Sequence, residues 1–193
     1  KNIDYNPIDT NVKYKNISIN GYWQSYKYFQ QYDEIIKSAF NFKNLIFDNF
    51  KKNLKKVQNT NSTAIFIRRS DYINNINTNN IHGACDLTYY NDCINYLNSI
   101  KKNNLFYIFS DDINWCKTKY SSKEYIYLDT HKSEKHLEIM LMANCKNLIS
   151  SNSSFSWWAG WLNNNKEKTI LVPYPWYKKK SYSVYYNDLI PKN

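Results

Sequence analysis

Only two arginines occur among the 26 basic residues of the chain, and they are neighbours, Arg68 and Arg69. Lysine supplies a point charge, whereas arginine supplies a planar fork of five donors that holds two oxygens of a phosphate or carboxylate at once. In a sequence dominated by lysine, asparagine, isoleucine and tyrosine, an arginine pair at one place points to anion geometry there. The alternative is an internal ion pair with an acid such as Asp71. A second cluster is the run SSNSSFSWW at 150–158, in which Asn152, Ser153, Ser154 and Phe155 stand where a strand passes into a helix. The free amides of a first helical turn, with Ser153 or Ser154 as N-cap, make an anion cradle. Phe155, Trp157, Trp158 and Trp161 recur at helical spacing and read as packing residues. A third cluster, IFSDDINW at 108–115, ends an apolar run with Ser110, Asp111 and Asp112. One of these acids suffices to cap the next helix, leaving the other to accept hydrogen bonds from a base or a sugar.

These clusters need elements to carry them. After residue 62 short apolar runs alternate with amphipathic stretches, the pattern of βα units. Strands are expected at 64–67, 105–109, 125–128, 147–149 and 169–172, and helices at 87–101, 112–119, 135–144 and 155–162. Continuous apolar strands joined through helices imply a parallel sheet covered on both faces, and right-handed crossovers make it doubly wound and Rossmann-like. Ligands then bind beyond the carboxyl ends of the strands, where all three clusters fall. Ahead of the sheet, apolar residues from Ile35 to Leu54 recur at helical spacing, in two helices broken near 41–44. The asparagine-rich patch INNINTNN at 73–80 reads as a mobile loop over the rim, and residues 1–20 as a linker before a domain at 21–193.

Composition closes several routes. Aromatic residues make up 18% of the chain, too much ordering surface for a disordered protein. Three glycines, Gly21, Gly83 and Gly160, cannot build a Walker loop or a G-x-G-x-x-G turn. Cys85, Cys93, Cys116 and Cys145 have no zinc spacing and read as reduced thiols of a cytoplasmic protein, at most peripheral to a membrane. The adjacent acids lack the D-x-D spacing of manganese-dependent sugar-nucleotide enzymes, and the arginines already supply positive charge, so no metal and no cofactor are expected. A net charge of +10 fits a polyanionic or phosphorylated partner. Scattered lysines and the absence of any RNP, KH or helix-turn-helix pattern make a nucleic-acid partner the weaker alternative.

The segments IFIRRSDY at 65–72, YIFSDDINWC at 107–116 and NLISSNSSFSWWAGWL at 147–162, preceded by GYWQSYKYF at 21–29, resemble in order the blocks of the α-1,2-fucosyltransferases, glycosyltransferase family 11. The resemblance implies the donor-binding half of a GT-B-like enzyme. Such an enzyme transfers L-fucose from GDP-L-fucose, with inversion and without a divalent metal, to the 2-hydroxyl of a galactose-terminated glycan. On that likeness Arg68 and Arg69 hold the departing diphosphate, Ser153 and Ser154 hold it from the other side, and Asp111 with Asp112 faces the guanine or ribose. Asp71 either orients the arginines or serves as the base. Phe66 stands where many relatives have histidine, and Ser70 where they have glycine. The family's N-terminal glycine-rich part has no counterpart, so the other half of the enzyme is an expected partner. A related GDP-sugar transferase, or an inactive nucleotide-sugar-binding domain, is the alternative.

Overall fold

The computed structural model describes residues 25–40, 48–128, 135–185 and 188–190. The expected linker at 1–20 and the helix break at 41–44 lie outside them. The chain forms two compact units, one of 43–179 and one of 1–42 with 180–193. In the smaller unit the described elements are three short 3-10 turns and one helix, α1 (Asp33–Ala39).

The larger unit opens with α2 (Asp48–Gln58), which turns Phe50, Asn53, Leu54 and Val57 to the interior at i, i+3, i+4 and i+7 while its lysines face outward. There follow β1 (Ser62–Ile67), α3 (Ser70–Asn74), α4 (Ile76–Ile81), α5 (Leu87–Ile100), β2 (Leu105–Ser110), α6 (Ile113–Lys119), β3 (Tyr125–Tyr127), α7 (Lys135–Ala143), β4 (Asn147–Ile149), α8 (Ser154–Leu162) and β5 (Thr169–Leu171). All five strands pair in parallel, in the order β3-β2-β1-β4-β5.

All six residues of β1 are buried, because successive side chains point to opposite faces and both faces are covered. Ala64 and Phe66 pack under α2, α7 and α8 with Leu141, Met142 and Ala159. Ile65 and Ile67 pack under α5 and α6 with Tyr90, Ile94 and Cys116. The connection from β1 to β2 therefore runs over one face and that from β3 to β4 over the other. The chain reverses direction across the sheet between β1 and β4, which are neighbours with Ile65 opposite Ile149. That crevice is the topological switch point, where ligands bind in doubly wound folds.

One expectation is overturned. Residues 73–80 are not a loop: they belong to α3 and α4, and Asn75 caps α4 by accepting from the amides of Asn77 and Thr78, both at 3.0 Å. Asparagine is a poor helix interior residue but a strong N-cap, and the cap decides here. Among the described residues no helix is long and apolar enough to cross a membrane.

Candidate active site

Three residues beyond the paired Ile65 and Ile149 stand Arg68 and Asn152, so the arginine turn after β1 and the serine turn after β4 lie side by side on one rim. A direct bond joins them: the Tyr72 hydroxyl donates to the Asn152 carbonyl at 2.9 Å.

The two arginines have different surroundings. Arg68 pairs with Asp71 at 2.8 Å and Asp111 at 3.3 Å, and a third of its side chain remains open to solvent. The ion-pair alternative for Asp71 is thus realised, but on the surface, where an incoming anion can compete for the guanidinium. Arg69 lies 3.6 Å over the Trp115 ring and pairs through Nε with Asp112 at 3.1 Å. A stacked, bonded arginine of that kind holds the turn, which leaves Arg68 as the better anion donor.

Asp111 and Asp112 also work inside the fold. Asp111 accepts from the amides of Arg69 at 2.8 Å and Ser70 at 3.1 Å, capping α3 from a neighbouring strand. Asp112 is the N-cap of α6, accepting from the Trp115 amide at 3.2 Å. The buried Ser110 hydroxyl donates to the Ile67 carbonyl at 2.7 Å and accepts from the Asp112 amide at 2.9 Å. The same three residues border a cavity of about 720 Å³ above β2 and β3, together with Tyr127, Lys117 and Glu138. Its size suits a nucleotide.

In the serine turn, Ser153 is the N-cap of α8 and accepts from the Phe155 amide at 3.3 Å, while Ser154 is exposed. The fully buried Ser151 hydroxyl has no hydrogen-bond partner among the described residues. Asn152 is a clamp: its side-chain amide donates to the carbonyls of His82 at 3.0 Å, Gly83 at 2.9 Å and Trp176 at 3.0 Å. Phe155 packs its ring 5.2 Å from that of Phe66, in the core. Trp157, Trp158 and Trp161 are only half-buried and stack edge to face, at 5.3 and 5.4 Å. The buried face of α8 is instead Ser156, Ala159, Gly160 and Leu162. Small residues let the helix approach the sheet closely, which aromatic spacing alone does not reveal.

Two residues at this rim were not singled out from the sequence. Glu138 is 4% exposed on α7, lines the cavity and pairs with Lys135 at 2.7 Å. An acid within the apolar run LEIMLM was the available signal. His82 stacks on Tyr72, with ring centres 5.0 Å apart and planes at 13°. The thiols of Cys93 and Cys116 are each pushed up to about 11, mainly by burial, which keeps them protonated near neutrality.

A parallel, doubly wound sheet whose switch point carries an open guanidinium beside a capped helix start defines a Rossmann-like α/β domain. Comparison with known proteins narrows the class. The family model for glycosyl transferase family 11 matches residues 4–188, and the chain belongs to that family. Over 164 residues it is 37% identical to an alpha-1,2-colitosyltransferase of Escherichia coli, covering 83% of this chain and 56% of that protein. It is 33% identical over 127 residues to the O-antigen biosynthesis glycosyltransferase WbnK of Escherichia coli, covering 64% and 42%. A galactoside 2-alpha-L-fucosyltransferase of Caenorhabditis elegans is 26% identical over 160 residues, covering 75% and 42%. The chain thus spans about half the length of these relatives. A crystal structure of NodZ alpha-1,6-fucosyltransferase soaked with GDP-fucose aligns at a TM-score of 0.37 and 12% identity, over 60% of this chain and 42% of that one. That likeness is too slight to rest an argument on.

Proposed function

We propose that this chain is the donor-binding part of an inverting, metal-independent glycosyltransferase that takes L-fucose from GDP-L-fucose to the 2-hydroxyl of a terminal β-galactoside. The observation that carries the reading is the side-by-side placement of Arg68 and the Ser153-capped start of α8 at the switch point. Between them a diphosphate would meet a forked cation on one side and first-turn amides with the Ser154 hydroxyl on the other. The nucleoside would lie in the cavity over β2 and β3, where the buried Glu138 carboxylate matches the N1–H and amino donors of guanine.

Breaking the bond from sugar to phosphate puts negative charge on the departing nucleotide and positive character on the sugar carbon. Donors already aimed at the diphosphate stabilise that charge without reorganising, so they lower the barrier to departure. The acceptor hydroxyl attacks from the opposite face, which inverts the centre. The glycan would be held largely by the portion of the family's length that this chain does not span.

A second reading has its own support. The relative at 37% identity is named for colitose, which is fucose without its 3-hydroxyl. A GDP-linked 3-deoxy sugar would use the same diphosphate and guanine contacts, so the two readings separate only at the sugar. Calorimetric titration with GDP, GDP-L-fucose, GDP-colitose, GDP-mannose and UDP, with and without chelator, tests both. GDP binding unaffected by chelator, with one of the two deoxy sugars preferred to mannose, is the expected result. Binding of UDP alone would refute the donor class.

A further inference from the structure

Tyr72 bonds across from the arginine turn to the serine turn and carries the His82 ring stacked against its own. The Tyr72 ring lies 5.6 Å from the Arg68 guanidinium and stacks on the His82 ring, while its hydroxyl holds the Asn152 carbonyl. The His82 backbone is tied to the same place, because its carbonyl accepts from the Asn152 amide at 3.0 Å and from the Lys178 backbone amide at 3.1 Å. Gly83, at φ +65°, makes the turn that brings both carbonyls to Asn152, and a Cβ there would come within 3.0 Å of the Lys178 side chain. The Tyr177 ring also packs on the imidazole, its centre 5.4 Å away and its plane tilted by 46°. The imidazole is therefore fixed by stacking and by its own backbone, yet its Nδ1 is shut off from solvent with no hydrogen-bond partner among the described residues.

Resting on the proposed transfer reaction, we infer that His82 is the general base that takes the proton from the attacking acceptor hydroxyl, oriented by Asp71. In the free protein Asp71 pairs with Arg68. When a diphosphate draws the Arg68 guanidinium to itself, the Asp71 carboxylate is released to accept from Nδ1–H, which leaves Nε2 as the proton acceptor. In the step itself the hydroxyl oxygen forms its bond to the anomeric carbon. The bond from that carbon to the diphosphate oxygen breaks, its electron pair leaving on GDP. The hydroxyl proton passes to Nε2 and then to water.

The surroundings keep the ring available as a base. Burial pulls its pKa below the usual 6.5, opposed by the charge of Asp71, so the imidazole is neutral at pH 7. The other ionisable groups around the stack are Arg68 in the turn before α3, Tyr72 on α3, Cys85 after the Gly83 turn, and Tyr177 with Lys178 on the segment after β5. Tyr72 is itself pushed up to about 12, chiefly by burial, and stays neutral across the working range.

The test uses the full-length protein that carries this sequence, with His82→Gln and His82→Phe, the second keeping a ring on Tyr72 without a nitrogen. The expected result is a loss of kcat of a hundredfold or more in both, with the calorimetric Kd for GDP within threefold of wild type. The acid limb of the wild-type kcat/KM profile, where activity falls as pH drops through the imidazole pKa, should vanish in both, and in Asp71→Asn it should move. Retained kcat, a surviving acid limb, or a fall in GDP affinity that accounts for the lost activity would overturn the assignment while leaving the donor reading in place. A wild-type protein that does not bind GDP would overturn both.

Discussion

Replacing Arg68 by lysine separates charge from geometry at the rim. In the free protein the guanidinium bridges Asp71 at 2.8 Å and Asp111 at 3.3 Å, with a third of the side chain exposed. On binding, one arm can stay with the Asp111 carboxylate, itself anchored to the amides of Arg69 and Ser70, while the other turns to the diphosphate. A single ammonium cannot do both. Lysine therefore forfeits about one charge-assisted hydrogen bond to phosphate, on the order of 1.5–3 kcal/mol, or roughly ten- to a hundredfold in GDP affinity. Turnover should fall more than tenfold, since the same contact opposes charge on the leaving group. Arg69→Lys is the internal control. Its guanidinium lies over Trp115 and bonds Asp112, so the substitution should lower thermal stability, by about 1 kcal/mol, and change the Kd for GDP less than threefold. Calorimetric titration of GDP and thermal melting on the two variants give the comparison. Wild-type GDP affinity in Arg68→Lys, or a larger binding loss in Arg69→Lys, would refute the division of labour between the arginines.

Other substitutions probe the rest of the rim. Glu138→Gln should weaken GDP by about 2 kcal/mol, near thirtyfold, and narrow its advantage over IDP, which lacks the amino donor; both are read by titration. Asn152→Ala strips partners from the carbonyls of Gly83 and Trp176 and should cost about 2–4 kcal/mol in denaturant unfolding. Ser150→Ala loses bonds of 2.8 Å to the Ser151 carbonyl and the Ser156 hydroxyl, and should cost about 1 kcal/mol. Ser151→Ala, removing a buried hydroxyl with no partner among the described residues, should leave the melting temperature unchanged or slightly raised.

The strands and helices of the larger unit are legible in the sequence because apolar runs buried on both faces leave little ambiguity of type. What escapes is polar residues that fold inward. Ser62 and Thr63 extend β1 two residues ahead of the apolar run because their side chains find partners, Ser62 with the Val57 carbonyl at 2.6 Å and Thr63 with Asn147 at 3.3 Å. Residues 73–80 fail for a different reason: the segment stays largely exposed, and the local cap by Asn75 outweighs composition. At the rim, the three clusters meet because their strands are adjacent, which the alternating pattern foretells. Which member of each cluster faces outward is a different matter. Nothing in the string SSNSSF distinguishes the clamp Asn152 from the exposed Ser154, because that depends on carbonyls 69 and 70 residues away in the chain and on one in the segment after β5.

Gly160 sits near the C-terminal end of α8, where a methyl group would meet Leu148 at 3.2 Å and Ile170 at 3.3 Å. The missing side chain sets how low the helix rests on β4 and β5, and a rigid helix passes that height on to its first turn. Two turns upstream, the first-turn amides and the serine hydroxyl stand on a platform whose level is fixed by hydrogen atoms at the opposite end. A residue remote from the rim thereby governs the width of the gap between the serine turn and the arginine turn.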